Sequence, residues 1–184
     1  PIAVPKEKGA DFLVALSALS SYASTTTNNT QALDIVMVLD ASGSMNDPMG
    51  SSDSTTRITA LKNAANNFID ETAKKNNQIG ADDKKIRLSI VKFSGNKTNT
   101  VGNDTYRSGG YTYNYSQIMK EFTVCEGNSA TALKNTVNAI SPAGSTRADN
   151  GMICAQNALE SAREGAKKVV IFFTDGTPTS ASTF

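Results

Sequence analysis

Unbroken apolar runs that end in polar turn residues predict the main strands of this chain. The run Ile35–Leu39 ends at Asp40, and the segment Lys167–Thr174 ends at Asp175 in the same way. Runs of this length and type are typical of strands that are buried on both faces of a parallel sheet. A third strand is predicted over 86–93, where apolar residues again dominate.

Apolar residues recur at helical spacing in three segments between these strands. The predicted helices run from about Thr56 to Lys75, from Ser129 until Pro142 stops the pattern, and onward from Asp149 or Asn150. Asp53 and Ser54 are candidate caps of the first helix, and Gln117–Val124 reads as a short edge strand. The alternation of strands and helices predicts an α/β fold with a Rossmann-like, mostly parallel central sheet flanked by helices.

The amino-acid composition argues against several classes of protein. The chain has 184 residues, enough for one domain of ordinary size, and a net charge of +1 that gives no sign of a nucleic-acid partner. No apolar stretch approaches the ~18 residues of a membrane span. The sequence contains no histidine, which excludes Ser-His-Asp and Cys-His catalytic groups and removes the usual zinc ligands. We therefore expect a non-enzymatic protein.

Candidate ligand residues lie at the end of the first strand, where Asp40 is followed by Ser42 and Ser44. In open α/β sheets, ligands bind beyond the carboxyl ends of the strands. Thr146 in the loop after the second helix, and Asp175 at the end of the last strand, add two more oxygen donors. Hard oxygen ligands suit Mg²⁺, Mn²⁺ or Ca²⁺. The alternative is that these five residues serve only turns and helix caps.

In this order and spacing, the five residues resemble the metal-ion-dependent adhesion site of the von Willebrand factor A domain family. The family motif combines Asp-x-Ser-x-Ser with a Thr and an Asp from two further loops. The resemblance implies a divalent cation, Mg²⁺ first and Mn²⁺ or Ca²⁺ as alternatives, bound by Asp40, Ser42, Ser44, Thr146 and Asp175. An acidic residue of a partner protein would complete the coordination shell.

The resemblance also implies a division of the chain. Residues 33–184 correspond to a von Willebrand factor A domain, and residues 1–32 to a linker and strand from a preceding module, with a strand near 12–17 and a Ser/Thr-rich link at 24–29. Family members usually continue with further strand and helix units after the Asp175 strand. We therefore expect residues 33–184 to be the N-terminal part of the fold, with the later strands absent from this chain.

The sequence looks most like the A domains of Gram-positive cell-wall and pilus-tip adhesins. This implies an extracellular domain, on the cell wall or a pilus, that binds a host matrix or cell-surface protein and also contacts other pilin subunits. Two alternatives remain: a structural pilus component, and an intracellular assembly module whose metal site is not used for adhesion.

Two further features leave alternatives open. Residues 94–116 are rich in Gly, Asn and Tyr, and form either a twisted hairpin with half-buried tyrosines or an inserted arm beside the metal face. Cys125 and Cys154 form either a disulfide, the default in a secreted protein, or two half-buried free thiols. The predicted topology places Cys125 away from the metal face and Cys154 near it, which argues against the bond.

Overall fold

A computed structural model describes residues 31–51 and 53–176. The strand predicted near residues 12–17 and the link at 24–29 lie outside these described residues. The division at residue 33 therefore stays a prediction.

Within the described residues, four strands form the central sheet. They are β1 (Leu33–Asp40), β4 (Arg87–Phe93), β7 (Gln117–Val124) and β8 (Lys167–Phe173). Their order is β7-β4-β1-β8; β1 runs parallel to both β4 and β8, and β7 is antiparallel to β4. The prediction of a mostly parallel α/β sheet is confirmed.

The apolar run of β1 explains its central position. All eight residues of the strand are buried. Ile35, Met37 and Leu39 point to one face of the sheet, and Val36 and Val38 point to the other. Each face is therefore covered by its own hydrophobic core, as expected for a strand of a doubly covered parallel sheet.

In the part of the chain that the structure describes, three α-helices cover the two faces of the sheet. They are α1 (Arg57–Asn76), α2 (Gly127–Asn138) and α3 (Ala148–Leu159). The buried sides of α1 and α2 pack in the core that contains Ile35, whereas α3 packs in the core that contains Val36. The result is a three-layer arrangement with the sheet in the middle.

Two small hairpins stand outside the sheet. One pairs β2 (Pro48–Gly50) with β3 (Asp53–Thr56), and the other pairs β5 (Thr105–Ser108) with β6 (Tyr111–Asn114). The second hairpin lies within residues 94–116, the segment for which the sequence left a twisted hairpin and an inserted arm as alternatives.

The helix starts differ from the sequence prediction. Asp53 and Ser54 do not cap α1, because they belong to β3; the hydroxyl of Thr56 accepts the capping bond, from the N–H of Thr59 at 3.4 Å. Likewise α2 begins two residues before the predicted Ser129, at Gly127. Helix ends depend on local contacts that the apolar pattern does not encode.

The two cysteines are free thiols. Cys125 lies in the core that contains α1, with its Sγ 3.3 Å from the carbonyl oxygen of Ile69, and Cys154 lies in the core that contains α3. The sheet separates the two cores, so the disulfide alternative is wrong for a geometric reason. Burial raises the pKa of Cys125 to about 12 and that of Cys154 to about 11.

Within residues 31–51 and 53–176, none of the helices combines the length and the apolar character that a bilayer crossing requires.

Candidate metal centre

The topology brings Asp40 and Asp175 to the same edge of the sheet. Asp40 is the last residue of β1, and Asp175 follows the last residue of β8 by two positions. Because β1 and β8 are neighbouring parallel strands, their carboxyl ends lie side by side. Asp40 is fully buried, and the side chain of Asp175 is only 6% exposed.

Asp40 is held by two hydrogen bonds. Its Oδ1 accepts the backbone N–H of Ser42 at 2.8 Å, and its Oδ2 accepts the hydroxyl of Thr174 at 2.8 Å. Burial raises the pKa of Asp40, and the nearby negative charge of Asp175 raises it further, whereas the bonds from Ser42 and Thr174 oppose the shift. A buried carboxylate beside a like charge is an arrangement that a bound cation would stabilise.

Ser42 and Ser44 stand at the turn that follows β1. The backbone turns into a short 3₁₀ helix, Gly43–Asn46, which places the two hydroxyl oxygens 3.1 Å apart. Ser42 is almost completely buried. The Asp-x-Ser-x-Ser motif thus presents three oxygen-bearing side chains within one turn of chain.

The loop that carries Thr146 docks directly on this turn. The N–H of Gly43 donates to the carbonyl of Gly144 at 2.8 Å, and the N–H of Ala143 donates to the carbonyl of Ala41 at 2.9 Å. A Cβ at Gly43 would lie 3.2 Å from the Gly144 oxygen, so the close approach favours glycine there. Thr146 follows Gly144 by two residues and is buried. Its loop is therefore placed beside the motif.

A buried lysine supports these loops, and the sequence prediction missed it. Lys92 is fully buried, because β4 is covered on both faces and has no outer position. Its Nζ donates to Asn103 Oδ1 at 2.6 Å, to the carbonyl of Asp104 at 3.0 Å and to Asn114 Oδ1 at 3.1 Å. A lone lysine inside an apolar strand was the available signal.

Asn114 links Lys92 to the Asp-x-Ser-x-Ser turn through hydrogen bonds. Its Nδ2 donates to the carbonyl of Ala41 at 3.0 Å and to the carbonyl of Ser141 at 2.8 Å, while its own backbone N–H donates to the carbonyl of Ala143 at 3.2 Å. One side chain therefore joins the hairpin β5–β6, the residue after Asp40 and the start of the Thr146 loop.

Arg57 is a second residue that sequence reasoning missed. It is the first residue of α1, and its Nη1 lies 2.8 Å from Asp175 Oδ2. Nothing in the apolar pattern distinguishes it from other charged residues at a helix start. The structure thus places a positive charge against one of the two carboxylates of the candidate site.

The donor set fits a hard cation. Within the described ranges, no three His, Cys, Asp or Glu side chains gather, so the candidate site has two carboxylates and otherwise hydroxyl oxygens. Carboxylate and neutral oxygens are ligands of Mg²⁺, Mn²⁺ and Ca²⁺. Asp40, Ser42, Ser44, Thr146 and Asp175 are the residues that could hold the ion, and this assignment stays a prediction.

The tyrosine hairpin borders the same region. Tyr106 stacks on Tyr113 at a ring distance of 5.4 Å and packs against Tyr115 at 4.7 Å. A groove of about 320 Å³ lies where the hairpin meets the Thr146 loop, and its lining residues are Tyr111, Thr112, Tyr113, Gly144 and Ser145. The hairpin therefore has packed tyrosines and also flanks the candidate site.

Comparison with known families gives one match. The model of the von Willebrand factor type A domain matches residues 34–183. No protein in the curated set matches the sequence.

Several solved structures resemble the chain. The vWF domain of the type V pili tip protein Mfa5 from Porphyromonas gingivalis has a TM-score of 0.52 and 18% identity over 77% of this chain. The PilB minor pilin from Streptococcus sanguinis has a TM-score of 0.56 and 15% identity over 82%. The pilus adhesin SpaC from Lactobacillus rhamnosus GG has a TM-score of 0.54 and 26% identity over 83%. The match spans 37%, 31% and 16% of those three chains respectively.

Proposed function

The chain belongs to the von Willebrand factor type A domain family, and from this premise we propose that it is a metal-dependent adhesion domain of a surface or pilus protein. Its partner would be a host matrix or cell-surface protein that supplies an acidic residue. Contacts with other pilin subunits are a second class of partner. We place the domain outside the cell, on the wall or on a pilus of a Gram-positive bacterium.

The proposed site combines charged carboxylate ligands with neutral hydroxyl ligands. Asp40 and Asp175 supply negative charge, and Ser42, Ser44 and Thr146 supply small neutral oxygens. The ion, Mg²⁺ in our proposal and Mn²⁺ or Ca²⁺ as alternatives, would act as a Lewis acid that accepts a carboxylate of the partner. With few charged protein ligands, the ion keeps a strong preference for one more anionic oxygen.

The setting of Asp40 is the observation that carries this proposal. A fully buried carboxylate stands at the carboxyl end of the central strand, hydrogen-bonded to its own motif and to Thr174, beside a second carboxylate. Burying a charge is costly unless it is paired. A divalent cation at this point would supply the missing positive charge.

The related structures support the surface role. Mfa5 is described as a pili tip protein and SpaC as a pilus adhesin. The chain spans well under two thirds of each, so partners and location are proposed here by similarity of one domain.

We propose binding rather than catalysis. The chain has no histidine to activate a serine. The Ser42 hydroxyl contacts the Ser44 hydroxyl and the Asp40 carboxylate. A carboxylate alone is a weak base for a serine hydroxyl, and a serine that is not activated is a poor nucleophile.

A pair of matched variants tests the proposal. Asp40→Asn removes the charge of the buried carboxylate, and Asp83→Asn makes the same change at an exposed residue before β4, at the other end of the sheet. We expect D40N to lose Mg²⁺ binding in calorimetry and to lose attachment to immobilised matrix protein. D83N should behave as the wild type, and EDTA should abolish attachment of the wild type.

The same variants separate the alternatives. If D40N unfolds in the absence of any partner and the folded wild-type chain shows no metal-dependent attachment, the metal serves stability and the structural pilus role is correct. An upstream export signal in the full gene would exclude the intracellular assembly module.

A further inference from the structure

Arg57 bridges two parts of the candidate metal centre. Its backbone N–H donates to the carbonyl of Asp47, at the end of the motif turn, at 2.9 Å. Its side chain then reaches the end of β8, where Nη1 is 2.8 Å from Asp175 Oδ2, and it remains 3.9 Å from Asp47 Oδ2. The Asp175 side chain is 6% exposed and that of Arg57 is 32% exposed.

The ion pair changes the charge of the site. Arginine stays protonated at all accessible pH values, so its charge is permanent. Of the two carboxylates that the centre offers, one is already neutralised by the guanidinium. A divalent cation that uses Asp175 would share this carboxylate with a fixed positive charge, which lies 2.8 Å from Oδ2.

We propose that Arg57 competes with the divalent cation for Asp175. The guanidinium and the metal share this carboxylate, so each binds it more weakly when the other is present. This inference rests on the metal site of the proposed function. Linkage requires the effect to be reciprocal, so metal binding loosens the Arg57–Asp175 pair by the same factor by which Arg57 weakens metal binding. The competition leaves the bound ion short of negative charge, which increases its demand for a partner carboxylate.

Three variants measure the competition by titration of the free Mn²⁺ signal in electron paramagnetic resonance. Arg57→Gln removes the charge and should tighten Mn²⁺ binding about tenfold, as expected for a unit charge a few ångströms away at a partly exposed site. Arg57→Lys keeps the charge and should remain within about threefold of the wild type.

Lys134→Gln is the matched control. It removes one positive charge from a comparable pair, Lys134 with Asp70 at 2.7 Å. Asp70 lies thirteen residues beyond Arg57 on α1, or about 20 Å away, so K134Q should leave Mn²⁺ affinity unchanged.

The competition can also be tested by NMR on the wild-type chain. The Nε–Hε resonance of Arg57 in a ¹⁵N-correlated NMR spectrum should move as Mg²⁺ is added, because the guanidinium loses its carboxylate. If the resonance stays in place while Mg²⁺ binds, the competition does not exist.

The outcomes distinguish the two proposals. Tighter binding by R57Q alone, or binding by R57Q where the wild type shows none, supports the competition. Equal or weaker binding by R57Q beside a wild type that binds Mn²⁺ overturns it and leaves the metal site standing. If neither the wild type nor R57Q binds Mn²⁺, the proposed adhesion site itself is wrong.

Discussion

Lys92 illustrates how one buried charge organises a site that it does not touch. Three oxygen acceptors surround its ammonium group, and one of them belongs to Asn114, which holds the carbonyls of Ala41 and Ser141. Burial lowers the pKa of Lys92 to about 8, and the charge of Asp104 opposes that shift. The loops that carry the candidate ligands are therefore tied to a titratable group in the core.

This pKa predicts a pH dependence of stability. Between pH 8 and the ordinary lysine pKa of 10.5, the unfolded chain binds more protons at Lys92 than the folded chain. The free energy of unfolding should thus rise with pH in that window, by up to about 3 kcal/mol from this group, and the penalty should be fully present below pH 8. Urea unfolding of the wild type and of Lys92→Met at several pH values measures it. If the free energy of unfolding changed with pH equally in the two proteins, the lowered pKa could not belong to Lys92.

Replacement of Asn114 should damage both stability and metal binding. Asn114→Leu leaves the ammonium of Lys92 with one acceptor fewer. It also removes the side-chain donor of the Ser141 carbonyl and one of the two donors of the Ala41 carbonyl. We therefore expect a loss of roughly 2–4 kcal/mol in the free energy of unfolding. Mn²⁺ affinity should fall as the two loops loosen. Asn99→Leu, at an exposed residue that donates to Asp104 Oδ2, should cost less than about 1 kcal/mol. Equal losses in the two variants would refute the role of Asn114.

At the scale of secondary-structure elements, the central sheet explains why the two cysteines do not form a disulfide. Cys125 and Cys154 lie in separate cores on its two faces. The apolar pattern predicted both faces of β1, but it could not say which face each cysteine would join. That depends on the side of the sheet that the chain takes after β7, for Cys125, and on the side covered by α3, for Cys154. The disulfide question was therefore open in the sequence and is decided by packing.

The thiols provide a direct test of this packing. Buried thiols with pKa values of about 12 and about 11 are almost entirely protonated at neutral pH, and the thiolate is the reactive form. Ellman's reagent should therefore label neither cysteine rapidly in the native chain and should titrate two thiols in guanidinium chloride. A fast native reaction, or no thiol after denaturation, would exclude two buried free cysteines.

At the scale of the whole molecule, the sequence predicted the parts that repeat a simple physical pattern. The unbroken apolar strands, the helical stripe of α1 and the edge strand β7 follow from periodicity and burial. The contacts of Arg57, Lys92 and Asn114 depend on residues ten or more positions apart that meet only after folding. No local pattern records such contacts. This is why the candidate ligands could be named in advance and their supporting residues could not.

Metal binding should also stabilise the folded chain as a whole. A ligand that binds only the folded state at about 100 times its dissociation constant adds about 2.7 kcal/mol. For a chain of this size, we expect Mg²⁺ to raise the melting temperature by roughly 5–10 °C, and D40N to show no rise. Thermal melts followed by circular dichroism, with Mg²⁺ and with EDTA, measure the shift. A rise of equal size in D40N would place the ion elsewhere.

Anomalous diffraction from crystals grown with Mn²⁺ tests the central claim most directly. We predict one strong anomalous peak at the carboxyl ends of β1 and β8, within about 2.5 Å of hydroxyl oxygens of the Asp-x-Ser-x-Ser turn, with Asp40, Thr146 and Asp175 around it. Crystals with Mn²⁺ in the solvent but no peak at that point, or with Mn²⁺ bound only at unrelated carboxylates, would contradict it.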